Sequence, residues 1–139
     1  MTILDTNVLS ALMRAPADPQ AVAWLDAQAA ESVWITSVTV FEARFGLEIL
    51  PNGKRRRALE AAFDRLVAED FDGRVLEVDL ESAKAAASLA ARRRLAGRPS
   101  DLRDTLIAGI ALARRSAIAT RNTRHFADLD VPVLDPWDT

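Results

Sequence analysis

The chain has 139 residues, and 50% of them are hydrophobic, enough for one domain with a real core spanning residues 1–139. It has no cysteine and a single histidine, His125, which excludes a disulfide framework, a thiolate metal site, a cysteine nucleophile and a cluster of imidazole ligands. The formal net charge of -2 argues against wrapping long DNA non-specifically, and the longest apolar stretch, Leu106 to Ala113, is too short to span a bilayer. With no signal-peptide pattern at the start, a soluble cytoplasmic protein without a membrane partner is expected.

In chain order, Thr2 to Asp5 reads as a short strand, and Val8 to Met13 as a helix that ends before Ala15-Pro16-Ala17-Asp18-Pro19. A helix from Gln20 to Ala30 precedes a strand at Val33-Trp34-Ile35, and Thr36 and Ser37 are polar residues able to start a helix over Val38 to Leu50. Pro51-Asn52-Gly53 ends that helix. Lys54 to Glu69 reads as a long helix with Leu59, Ala62, Phe63, Leu66 and Val67 on one side. Arg74 to Val78 is a strand, Asp79 caps a helix over Leu80 to Leu95, and a helix from Asp101 to Arg115 follows Gly97-Arg98-Pro99. Strands at Ala117 to Thr120 and Val131 to Leu134 close the chain. Strands separated by helical segments predict an α/β fold, a parallel sheet with helices on both faces joined by right-handed crossovers.

The acids fall at informative places. Asp5 ends the first strand, and in open parallel sheets the crevice at the carboxyl ends of the strands is the default ligand site. Its bland role is to cap the next helix. At helical spacing Val38, Phe41, Phe45 and Ile49 form a stripe with Glu42 at its edge; the bland alternative is a surface Glu42 paired with Arg44. Asp104 directly precedes the apolar run from Leu106 to Ala113, so its turn faces something, whereas Asp101 serves the ordinary need for an acid at a helix start. Asn122, just past the strand ending at Thr120, is either a turn residue or the carrier of a metal-bound water.

Two carboxylates about 4 Å apart repel by roughly 4 kcal/mol at an effective dielectric of 20, so a cluster of three needs a cation. Oxygen ligands without His or Cys suit Mg²⁺, with Mn²⁺ as a substitute, and such an ion can activate water and stabilise a phosphate in in-line displacement. A haloacid-dehalogenase-type phosphatase would need a second acid where this chain has Asn7, and a receiver domain a later pocket lysine that is missing after Lys84.

Ile3-Leu4-Asp5-Thr6-Asn7-Val8-Leu9-Ser10, then Thr36 to Gly46, then Asp104-Thr105-Leu106-Ile107-Ala108-Gly109-Ile110-Ala111, resemble the ordered motifs of the PIN domain. Thr120-Arg121-Asn122-Thr123-Arg124-His125-Phe126 and Val133-Leu134-Asp135-Pro136-Trp137 are similar to that family's closing segment. The wording looks closest to the VapC toxins of toxin-antitoxin systems, in particular the FitB-like branch. The resemblance implies a PIN-like three-layer fold with a central, mainly parallel sheet flanked by helices. It also implies a Mg²⁺-dependent endoribonuclease, usually dimeric and silenced by a cognate antitoxin in a hetero-oligomer. Asp5, Glu42 and Asp104 match the family's three near-constant acids as metal and catalytic residues, and Asn122 stands where many relatives have a fourth acid. A catalytically weak binding partner of an antitoxin, acting in operon repression, is the alternative that Asn122 raises. DNA cleavage by the same ion chemistry also stays open.

Thr6 and Asn7 are expected to orient Asp5 or a bound water. Lys54 to Arg57 and Arg92 to Arg98 are either solvated helix faces or phosphate contacts, His125 is expected to be a packing or surface residue, and Trp24, Trp34 and Trp137 core or interface anchors. Val40, Leu47 and Leu50 are the expected dimer contacts.

Overall fold

Side chains alternate across a strand, and that alternation divides this core into two halves. In the computed structural model, which describes residues 1–138, β1 (Thr2–Leu4) sends Ile3 to one face of the sheet and Leu4 to the other. In β2 (Val33–Thr36), Val33 and Ile35 join Leu4 while Trp34 joins Ile3; in β4 (Ala117–Ala119), Ile118 and Ala119 part in the same way. With β3 (Val75–Leu76) and β5 (Val133–Leu134) the sheet has the order β3-β2-β1-β4-β5, and all four pairings are parallel.

Helices cover both faces, giving three layers. On the Ile3 side lie α5 (Leu80–Leu95) and α6 (Leu102–Arg114), which supply Leu89, Ile107 and Ile110. On the Leu4 side lie α1 (Thr6–Met13), α2 (Pro19–Asp26) and α4 (Lys54–Arg65), with Val8, Leu9 and Phe63 buried. The helix after β2, α3 (Ser37–Glu48), places Val38 in the first half and Leu47 in the second. Among the described residues no helix is long and apolar enough to cross a membrane.

Capping chemistry read from sequence holds at three helices. Thr36 accepts from the Thr39 N–H, Asp79 from that of Ser82 and Asp101 from that of Arg103. Boundaries differ more. The first helix begins at Thr6 rather than Val8, and the second ends at Asp26, with a separate 3₁₀ turn at Ala30–Ser32. The long helix from Lys54 stops being α at Arg65 and widens into a π turn over Leu66–Asp70 that buries Phe71. Strands β3 and β5 are each only two residues long, as suits the edges of the sheet.

The larger correction concerns α3. Of the expected core stripe, Val38 is buried, but Phe41, Phe45 and Ile49 are 61%, 53% and 68% exposed. The inner face is instead Val40, Ala43, Leu47 and Leu50, which include all three residues expected at a dimer contact, Val40, Leu47 and Leu50. Both sets recur at helical spacing, so periodicity alone had no means of choosing between them.

Candidate active site

From β1 the chain crosses to β2 and β3 on one side and later returns to place β4 and β5 on the other, so the order reverses beside β1. That switch point opens a crevice past the strand ends, where Asp5 leaves β1 and Thr120 leaves β4. The Asp5 N–H donates to the Ala119 carbonyl at 2.9 Å, which pins the two strand ends together. Asp5 is 4% exposed. Its Oδ1 accepts the Thr6 N–H at 2.8 Å; its Oδ2 accepts the Thr120 hydroxyl at 2.8 Å and the Asn7 amide at 3.4 Å. Asp5 is therefore both the cap of α1 and a pocket carboxylate, two roles that sequence had left as alternatives. Burial raises its pKa above the ordinary aspartate value, the hydrogen bonds from Thr120 and Thr6 oppose that, and the charge of Asp104 adds to it.

Thr6 ties the second acid to the first. Its hydroxyl donates to Glu42 Oε1 at 2.9 Å and lies 3.0 Å from the Thr39 hydroxyl, one turn earlier on α3. Glu42 is not paired with Arg44, which instead lies 3.9 Å from Glu60. Its nearest cation is Arg103, whose Nη1 stands 3.7 Å from Oε2. Desolvation raises the Glu42 pKa; the Thr6 bond and Arg103 pull it down, while Asp5 and Asp104 push it up. The third acid, Asp104, lies in the first turn of α6, and its Oδ2 is 3.0 Å from His125 Nδ1.

Asp5, Glu42 and Asp104 thus come to the crevice past the strand ends and feel one another's charge. Yet among the described residues no three of the His, Cys, Asp and Glu side chains form a ready-made metal cage. Like charges favour separation, and Glu42 and Asp104 lean toward Arg103 and His125. Asn122 takes the turn position that was one of its two expected roles, directly before the 3₁₀ helix Thr123–Phe126. It is exposed, and its side chain makes no hydrogen bond among the described residues; its N–H donates to the Thr120 hydroxyl at 3.0 Å, which in turn donates to Asp5. Asn122 supports the pocket through its backbone N–H.

His125 is a surface residue, as expected, with its side chain 53% exposed, and its contact with Asp104 is the part that sequence did not predict. Phe126 is fully buried and anchors the short 3₁₀ helix Thr123–Phe126 beyond β4, which turns the preceding imidazole toward Asp104. The available signal was its place in the segment following a central strand. Arg103, adjacent to Asp104 in sequence, was likewise passed over. Trp137, in contrast, fulfils its reading as an anchor, since its indole N–H donates to Asp18 at 3.2 Å and Arg121 lies 4.4 Å over its ring.

Residues 2–132 match the family model of the PIN domain. The chain is 37% identical over 138 residues to VapC ribonuclease Y4jK of Sinorhizobium fredii, covering 99% of each protein. It is 34% identical to Toxin FitB of Neisseria gonorrhoeae over 137 residues, again covering 99% of each. The structure of FitAB bound to an IR36 DNA fragment superposes with a TM-score of 0.90 at 34% identity, covering 100% of this chain and 97% of that one.

Proposed function

The chain belongs to the PIN domain family, and from that premise we propose that it is a Mg²⁺-dependent endoribonuclease, the toxin of a toxin-antitoxin pair. The observation that carries this reading is an acidic crevice in which Thr6 bridges a buried and a partly buried carboxylate, both of raised pKa, and a third lies within their field. The relatives' names support it, one being a VapC ribonuclease and another a toxin.

The donor set fits a hard divalent cation. Every candidate ligand is a carboxylate oxygen, and hydroxyl or amide donors already aim Asp5 and Glu42. Asp5 and Asp104 would hold the ion directly or through water, and Mn²⁺ would substitute. Bound there, the ion would lower the pKa of a water and offset charge on the scissile phosphate. Glu42 would ligate the ion or orient the attacking water, with Thr6 fixing its carboxylate. Thr120 and Asn7 hold Asp5 in one rotamer, and His125 does the same for Asp104. Hydrolysis of RNA in Mg²⁺, abolished by chelation and by Asp5→Asn, is the test. Intact RNA after exhaustive trials with Mg²⁺ and Mn²⁺ would reject the reading.

The raised carboxylates also set a pH dependence. Because Asp5 and Glu42 bind protons more tightly folded than unfolded, their ionisation opposes folding above their folded pKa values. That penalty fades as the pH falls through those values. Mg²⁺ relieves it where both groups are ionised but must displace protons at lower pH. The rise in Tm on adding Mg²⁺ is therefore larger at about pH 7.5 than at about pH 5, as thermal melts at fixed Mg²⁺ will show.

Two protein partners follow from the same premise. A groove of about 730 Å³, lined by Met13, Leu47, Leu50 and Leu59, opens onto Thr6 and Glu42. It suits an apolar antitoxin segment that delivers an arginine to the carboxylates. A second copy of the chain would use the outer face of α3, where Phe41 and Phe45 stack with ring centroids 6.2 Å apart beside the exposed Ile49. Phe45→Glu is expected to convert a dimer to a monomer in sedimentation at micromolar concentration, whereas Leu47→Ala perturbs the core instead. A dimer unaffected by Phe45→Glu would move the interface elsewhere.

A further inference from the structure

Beside the acids, on the side of α6 away from the apolar groove, lies a cleft of about 510 Å³ whose walls include Arg93, Arg98, Asp101, Asp104, Arg124 and Asp128. It is built around one buried cation. Arg93, 6% exposed near the end of α5, donates through Nε and Nη2 to the two carboxylate oxygens of Asp128, at 2.9 and 2.8 Å. The same guanidinium donates to the Ser100 hydroxyl at 2.7 Å and the His125 carbonyl at 2.9 Å. A single residue thereby joins the end of α5, the loop before α6 and the 3₁₀ helix carrying His125. The three walls of the cleft are fixed in advance.

The charges on those walls do not cancel once their partners are assigned. Asp128 is matched by Arg93 and Asp101 by Arg103, while Asp104 at the mouth belongs to the acid site. Arg98 and Arg124 have no ion pair or side-chain hydrogen bond among the described residues. Two free guanidinium groups, whose donor geometry suits phosphate, thus flank a preformed cleft that leads to the carboxylates. The acids themselves repel a polyanion, so a substrate strand needs compensating cations nearby.

We propose that this cleft holds the backbone of single-stranded RNA next to the bond being cut, with Arg98 and Arg124 as its phosphate ligands. The proposal rests on the ribonuclease reading and adds to it the path of the strand. The two arginines are binding residues that take no part in the chemical step.

The test is fluorescence anisotropy of a labelled single-stranded oligoribonucleotide in EDTA, where no cleavage occurs, over a series of salt concentrations. Arg98→Ala and Arg124→Ala each weaken binding roughly fivefold and reduce the salt slope by about 0.7. Arg57→Ala, on the exposed start of α4, leaves both unchanged. In Mg²⁺ the same two variants raise KM and leave kcat within about twofold. Wild-type affinity and slope in both variants would overturn the proposal even if the enzyme cuts RNA. Arginine-dependent binding without cleavage by the wild-type chain would uphold the cleft and reject the nuclease reading.

Discussion

Asp5→Asn lowers the rate of RNA hydrolysis by roughly a thousandfold, about 4 kcal/mol of transition-state stabilisation, and leaves the fold intact. The substitution keeps the shape of the side chain. Its remaining oxygen can still accept the Thr6 N–H that caps α1, so the helix keeps its start. What disappears is a charge held in a pocket where it is 4% exposed. A low-dielectric setting makes that charge matter most toward a cation, and a neutral amide there is a weak ligand for Mg²⁺. His125→Ala removes only a group that holds Asp104, so its loss is smaller, about 10- to 100-fold. Single-turnover rates on one oligoribonucleotide would rank the two variants. Equal activity of Asp5→Asn and wild type would remove Asp5 from the chemistry.

The order of these effects follows from features that were unequally visible in the chain. Asp5 was legible because it closes a strand where an open parallel sheet places its ligand crevice, and the motif around it resembles a known family. Asp104 was legible for a similar reason, since the run from Leu106 to Ala113 demanded a buried helix. Glu42 was placed correctly on a wrongly oriented helix: its distance from Phe41 and Phe45 fixed its angle about α3, but two apolar stripes competed for the core. The inward stripe packs against the Leu4 half of the core while the Thr39 hydroxyl meets that of Thr6 on α1, contacts between residues far apart in sequence. His125 and Arg93 were hidden for a different reason. Their partners, Asp104 and Asp128, lie 21 and 35 residues away, on other elements, and no local pattern encodes such pairings.

Alanine at Gly109 is expected to destabilise the protein by about 2 kcal/mol or more, although alanine is the better helix former by about 1 kcal/mol. Gly109 lies in the middle of α6 where it crosses α5. A Cβ there would stand 2.6 Å from both Ala86 Cβ and the Ser82 carbonyl oxygen, and 2.9 Å from the Ala86 nitrogen. Two of those atoms are backbone, so relief requires the helices to move apart, opening the cluster of Leu89, Ile107 and Ile110. Gly46 provides the opposite case on α3, where an added Cβ meets nothing within 4 Å. Gly46→Ala should stabilise by roughly 0.5–1 kcal/mol, since only the helix preference remains. Chemical denaturation of both variants measures the two signs side by side. Ala86→Gly added to Gly109→Ala removes one of the three close contacts and should recover only part of the loss, because the Ser82 carbonyl still blocks the site. Full recovery would show that side chains, rather than backbone, set the distance between α5 and α6. A stabilised Gly109→Ala would mean that the two helices can separate freely, and Asp104 at the start of α6 would then have no fixed position from which to meet Asp5.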